Sequence, residues 1–166
     1  MRNIINDILG GCVGEDAAIP APVAVSLGAL LRPLPDDASE LLRQRYLCRG
    51  GGLLLVGFTG VGKSSFSMQC MLKWALGLPV FGIEPTRPLK SLLIQAENDD
   101  GDLAEMRDGV VNGLGLQEDQ AQEAFTRLMV CRQDTQTGMG FFQHTVRPLL
   151  EQHRPDLLWI DPALAY

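Results

Sequence analysis

Residues 57–65 read GFTGVGKSS, and Gly57, Gly62, Lys63 and Ser64 fill every fixed position of the phosphate-loop pattern G-x-x-x-x-G-K-[ST]. With glycine at about 7% of average usage, a chance match in a chain this long arises in roughly one protein in a hundred or fewer. Upstream, residues 53–56 (LLLV) read as a short buried strand, and downstream residues 65–76 carry helical spacing. The sequence therefore predicts strand, loop and helix in the order the pattern requires. Glycines at 57, 60 and 62 are expected to curl the backbone with positive φ and bring successive N–H groups around an anion, where a β-carbon would intrude. The N-terminal N–H groups and positive dipole end of the helix face the same anion. In such a loop Lys63 reaches the β and γ phosphates and Ser64 ligates Mg²⁺, with Thr59, Gly60, Val61 and Ser65 completing the cradle. The competing reading, a glycine-rich turn with a surface lysine, requires both flanking elements to be accidents.

Composition bounds the rest. The chain has 166 residues, 46% hydrophobic and 20% charged, enough for one domain with an adequate core. Fourteen basic against 20 acidic residues give a net charge of −6, so overall charge does not attract nucleic acid or anionic membrane. Cys12, Cys48, Cys70 and Cys131 are scattered without a C-x-x-C pair, and His144 and His153 stand at no metal-ligand spacing from them. Reduced thiols in the cytoplasm follow. Residues 4–9 are too short and polar for a signal peptide, and no apolar run reaches membrane-spanning length.

Residues 1–40, rich in Pro, Ala, Gly and Asp, read as a lead-in segment and 41–166 as the domain. The lead-in carries a short strand at 23–27 and a break at 32–35; residues 36–40 cap a helix running to Tyr46. Beyond the loop helix, strands are predicted at 91–96, 128–131 and 157–160, with helices at 102–114, 117–127 and 141–153. Residues 133–140 read as a loop, and Pro148 either kinks the last helix or marks its start. Strands alternating with helices imply an α/β fold, a three-layer sandwich with a mainly parallel sheet whose ligands bind at the carboxyl ends of the strands.

Two carboxylates stand at such ends. Asp161 closes the apolar strand 157–160, where phosphate-loop enzymes place a second carboxylate for Mg²⁺, although an apolar strand ending in Asp also occurs as a plain cap. Pro162 follows it, so an adjacent acidic base is absent. Glu97 closes the strand at 91–96 and is the candidate base that polarises the attacking water. Its alternative role is as part of an acidic turn capping the next helix, a task that Asp99, Asp100 or Asp102 fills equally well. Gly101 is out of register for a calcium-binding EF-hand loop.

The phosphate loop at 57–65, the strand ending Gln95, Ala96, Glu97, Asn98 and Asp99, and the strand ending Asp161-Pro162 together resemble the RecA-like P-loop ATPases, in particular the plasmid RepA-type replicative helicases. The resemblance spans about residues 40–166. It implies ATP hydrolysis with Mg²⁺, Lys63 on phosphate, Ser64 and Asp161 on the metal, and Glu97 as base. It also implies ring or filament assembly, with a basic residue supplied by the neighbour, and often single-stranded DNA as partner. In that family the strand following the Asp161-type strand inserts between it and the strand leading into the phosphate loop. Here the sequence stops at Tyr166, so the core is expected to lack its C-terminal strands. Omitting a central strand leaves a gap of about 9.6 Å with unpaired backbone on both sides. Closure is then expected by a changed strand order, by residues 23–27 or by a second chain, unless the chain is a truncated product. Self-association is the expectation, with weak or no hydrolysis by the isolated chain. A small-molecule P-loop kinase and a non-catalytic regulatory or oligomerisation piece are the competing functions. Absence of a guanine-selecting N-K-x-D favours ATP.

Overall fold

The computed structural model describes residues 23–34 and 37–165. Expectations for residues 1–22, including Cys12, and for Pro35, Asp36 and Tyr166 lie outside the described residues. The strand expected at 23–27 does not form. The segment holds a single 3-10 turn, Leu27–Ala29, with no buried residue. Its apolar side chains stay exposed, Val23 and Leu31 at 86% and 93%.

The helix expected up to Tyr46 is replaced by an antiparallel ribbon, β1 (Glu40–Leu42) and β2 (Leu47–Cys48), joined through the turn Arg43–Arg45. Leu41 and Leu42 enter the core beside Cys70, Trp74, Val80, Leu89 and Leu157. Burying two leucines outweighs a weak local helical preference.

The loop helix forms as expected. It is α1, Lys63–Ala75. A Schellman turn ends it: the Leu78 N–H donates to Lys73 O at 2.8 Å and the Gly77 N–H to Trp74 O at 3.1 Å, with Gly77 supplying a φ of 74°. Then come β3 (Ser91–Gln95), α2 (Asp100–Leu114), α3 (Glu118–Phe125) and β4 (Leu128–Arg132). A helical stretch follows, made of α4 (Gly138–Phe141), a π turn (Phe142–Val146) and α5 (Arg147–His153), before β5 (Leu157–Asp161). This stretch starts inside the predicted loop. Pro148, in the first turn of α5, lacks the N–H that a continuous α-helix would use, and the wider π turn precedes it.

Among the described residues β4, β3 and β5 form a parallel sheet in that order, with Gln95 of β3 in register with Arg132 and Asp161. Every residue of β3 is buried, as a strand covered on both faces requires. The two-residue period divides its side chains. Leu93, with Trp159, meets Met68, Met71 and Leu72 of α1, Leu103 of α2 and Ala124 of α3. Leu92 and Ile94 meet Phe141, Val146 and Leu150 on the opposite face. Helices thus cover both faces, and the three-layer α/β arrangement is present. Trp74 of α1 stacks on Trp159 of β5 with ring centroids 5.9 Å apart, and the Trp159 indole N–H donates to Ser91 Oγ at 3.1 Å. No described helix is long and apolar enough to cross a membrane.

Residues 53–56 correct the sequence reading. They form no strand, and Leu53, Leu54 and Val56 are 62%, 78% and 78% exposed. A strand is stabilised by the neighbour that pairs with it, and among the described residues no strand pairs on the outer side of β5. Neither a changed strand order nor residues 23–27 close that side. The expected closure within the chain is absent among the described residues.

The entries to the strands are held by one carboxylate. Asp156, its side chain 10% exposed, accepts from Arg87 Nη1 and Nη2 at 2.9 and 2.6 Å, from Arg49 Nη2 at 3.2 Å and from the Lys90 N–H at 3.0 Å. It ties the residues after β2, the approach to β3 and the start of β5 together.

Candidate nucleotide site

Two of the three loop glycines adopt the expected conformation. Gly60 and Gly62 have φ of 81° and 88°. An added β-carbon at either would touch nothing within 4 Å, so backbone conformation, not space, demands glycine there. Gly57 departs from the expectation. Its φ is not positive, and its role is clearance, since a β-carbon would sit 3.2 Å from Val61 Cγ2 and 3.7 Å from Lys63 Cδ.

Gly62 is the N-cap of α1, with no side-chain cap bond and no acidic residue in the first turn. The first N–H groups of the helix and its positive dipole end are therefore not satisfied by the chain's own carboxylates. Lys63 Nζ donates to Gly57 O and Phe58 O, both at 2.9 Å, which holds the ammonium over the curled loop. Thr59, Val61 and Ser65 are exposed along it, and Ser64 is half-buried.

The helix aims this loop toward the carboxyl ends of the strands. Its last turn lies at the entry to β3, where the Leu89 N–H donates to Trp74 O at 2.9 Å, so α1 runs back along the sheet antiparallel to β3. Asp161 ends β5 at the same side of the sheet, and Glu97 follows β3 there. Among the described residues, no hydrogen bond or ion pair joins the loop at 57–65 to Asp161 or Glu97.

The acidic turn after β3 divides its tasks. Asp99 caps α2, accepting from the Asp102 N–H at 2.8 Å, while Asp102 reaches back to the Asp99 N–H at 3.4 Å. Glu97 takes no part in that cap, and its exposed carboxylate makes no hydrogen bond or ion pair among the described residues.

Sequence reasoning missed Gln95. Its amide bonds both to Asp161 and to the Glu97 backbone. The available signal was a polar residue following the apolar run Leu92, Leu93 and Ile94, two residues before the candidate base. A cavity of about 190 Å³ opens beside it, lined by Gln95, Ala96, Arg132, Gln133 and Asp134. A second, of about 390 Å³, lies by β1 among Glu40, Arg43, Gln44, Gly82 and Glu84, away from every candidate residue.

The donor set fits the group that the loop implies. A serine hydroxyl and a strand-end carboxylate are hard oxygen ligands of the kind Mg²⁺ takes alongside phosphate oxygens. Among the described residues no group of three or more His, Cys, Asp or Glu is placed to hold a metal ion by itself.

A helix N-terminus with left-handed glycines and an overarching lysine, carried on a parallel α/β sheet, defines a P-loop nucleotide-binding module. The family model described as AAA domain matches residues 21–166, and the chain belongs to that family of nucleotide-binding, ATPase-like domains. No curated protein and no solved structure matches it.

Proposed function

We propose that this chain binds ATP with Mg²⁺ and is a RecA-like ATPase module related to the RepA-type helicases. The observation that carries the reading is the uncapped N-terminus of α1, entered through Gly60 and Gly62 and overlaid by Lys63. Gly57, Thr59, Gly60, Val61, Gly62 and Ser65 form the phosphate cradle, and Lys63 contacts the terminal phosphates. Ser64 and Asp161 hold Mg²⁺, and Glu97 orients the attacking water. The capping role that competed for Glu97 is filled by Asp99, which supports this assignment.

Hydrolysis by the chain alone is expected to be slow. Among the described residues Lys63 is the one basic side chain hydrogen-bonded to the loop, and a second cation supplied by a neighbour is worth about 10³ to 10⁵ in rate. The exposed run at 53–56 supports homo-oligomer formation. DNA as a partner rests on the resemblance alone. Free thiols at Cys48, Cys70 and Cys131 support a reducing, cytoplasmic setting; burial pushes the Cys70 thiol up to about 11, which keeps it inert.

The test is binding of a fluorescent ATP analogue with Mg²⁺ to the wild type and to Lys63→Ala. The variant is expected to lose at least about tenfold in affinity, since a hydrogen bond from a charged group contributes about 1.5–3 kcal/mol. Equal binding by the two proteins refutes the loop assignment.

A further inference from the structure

Gln95 is 1% exposed at the end of β3, in a strand whose preceding residues are Ser91, Leu92, Leu93 and Ile94. Main-chain pairing to β4 and β5 does not use its side chain. Burying an amide costs free energy unless both of its ends are bonded. Here both are. Nε2 donates to Asp161 Oδ2 at 3.3 Å, and Oε1 accepts from the Glu97 N–H at 2.9 Å. The reverse amide orientation would set a carbonyl against the carboxylate and an NH₂ against an N–H, so the two partners select this one.

We infer that Gln95 is a positioning residue that fixes the Asp161 carboxylate for the nucleotide-bound Mg²⁺ and anchors the turn from which Glu97 projects. The inference rests on the nucleotide reading above. By holding Oδ2, the amide limits rotation of the Asp161 carboxylate and leaves Oδ1 for the metal or its water. By holding the Glu97 N–H, it ends β3 at a defined backbone point, so that the two candidate carboxylates are set by one side chain. Loss of a partner of this kind, one bond removed from a metal, typically lowers metal affinity about 10- to 100-fold.

The test titrates Mg²⁺ into mixtures of a fluorescent ATP analogue with the wild type, Gln95→Met and Lys63→Ala, with a parallel nucleotide titration in EDTA. Methionine keeps the length and removes both hydrogen-bonding ends. For Gln95→Met the half-saturating Mg²⁺ concentration is expected to rise about tenfold or more, while metal-free nucleotide affinity stays within about twofold of wild type. Lys63→Ala is expected to lose affinity with and without metal. A Mg²⁺ dependence of Gln95→Met equal to wild type overturns the inference and leaves the nucleotide reading intact. An equal loss with and without metal also overturns it, because that is a purely structural effect. If Gln95→Met does not fold, Gln95→Asn, whose shorter amide cannot span both partners, decides by the same criteria. A wild type that binds no nucleotide overturns the site assignment and this inference together.

Discussion

Replacing Asp156 by Asn should show how much of the fold depends on a single carboxylate. Four donors converge on it, three from Arg87 and Arg49 and one from the Lys90 N–H. Fully buried, each hydrogen bond to a charged group would contribute about 1.5–3 kcal/mol. Solvent reaches the arginines, whose side chains are 48% and 33% exposed, so each of their bonds is discounted to below about 1 kcal/mol. Together the four bonds sum to at most about 6 kcal/mol, but asparagine keeps one acceptor oxygen for part of this set. This brings the expected loss to about 2–3 kcal/mol, or a fall in Tm of about 5–10 °C for a chain of this size. Burial pushes the Asp156 carboxyl up, but hydrogen bonds from Arg87 and the Lys90 N–H outweigh it and hold the group below the ordinary carboxylate value. A depressed folded-state pKa stabilises the protein above the unfolded value, near 3.9, and that contribution disappears as pH falls through the folded one. The gap between wild type and Asp156→Asn should therefore be constant from about pH 5 to 8 and narrow below about pH 4. Urea unfolding followed by circular dichroism at several pH values measures it. A gap under about 0.5 kcal/mol at pH 7, the scale of an ordinary surface change, or one that does not shrink in acid, refutes the reasoning.

The loop glycines should separate by cause. Gly60→Ala and Gly62→Ala force a β-carbon into left-handed backbone at about 1–2 kcal/mol each and should weaken nucleotide binding in the fluorescence titration. Gly57→Ala meets only the movable Val61 and Lys63 side chains and should weaken it less; the opposite order would refute the conformational argument. Leu54→Lys should change the stability of the monomer by less than about 0.5 kcal/mol, because Leu54 is already exposed. The same change should abolish self-association measured by light scattering, and a wild type that stays monomeric at high concentration refutes the oligomer proposal.

Much of this arrangement was legible in the chain, and the failures share a physical cause. Gly62 and Lys63 announced α1, and the apolar runs announced β3 and β5, because these signals are local. The spacing of Asp99 and Asp102 contained the cap of α2 but did not say which acid would fill it. Residues 53–56 look like a strand because they are apolar, yet pairing belongs to a neighbour, and apolar character alone names none. Leu41 and Leu42 read as helical until a core across the chain recruited them. Gln95 carried no periodic signal, and its meaning depends on Asp161, 66 residues away.

The only two tryptophans in the chain are the pair stacked between α1 and β5. One lies on the helix that begins with Lys63, the other two residues before Asp161. Tryptophan emission, excited apart from the two tyrosines, therefore comes from this one pair, placed on the joint between α1 and the strand that ends in Asp161. Any change in the packing of α1 against β5 would alter that emission, so the unlabelled protein carries its own optical probe of this contact.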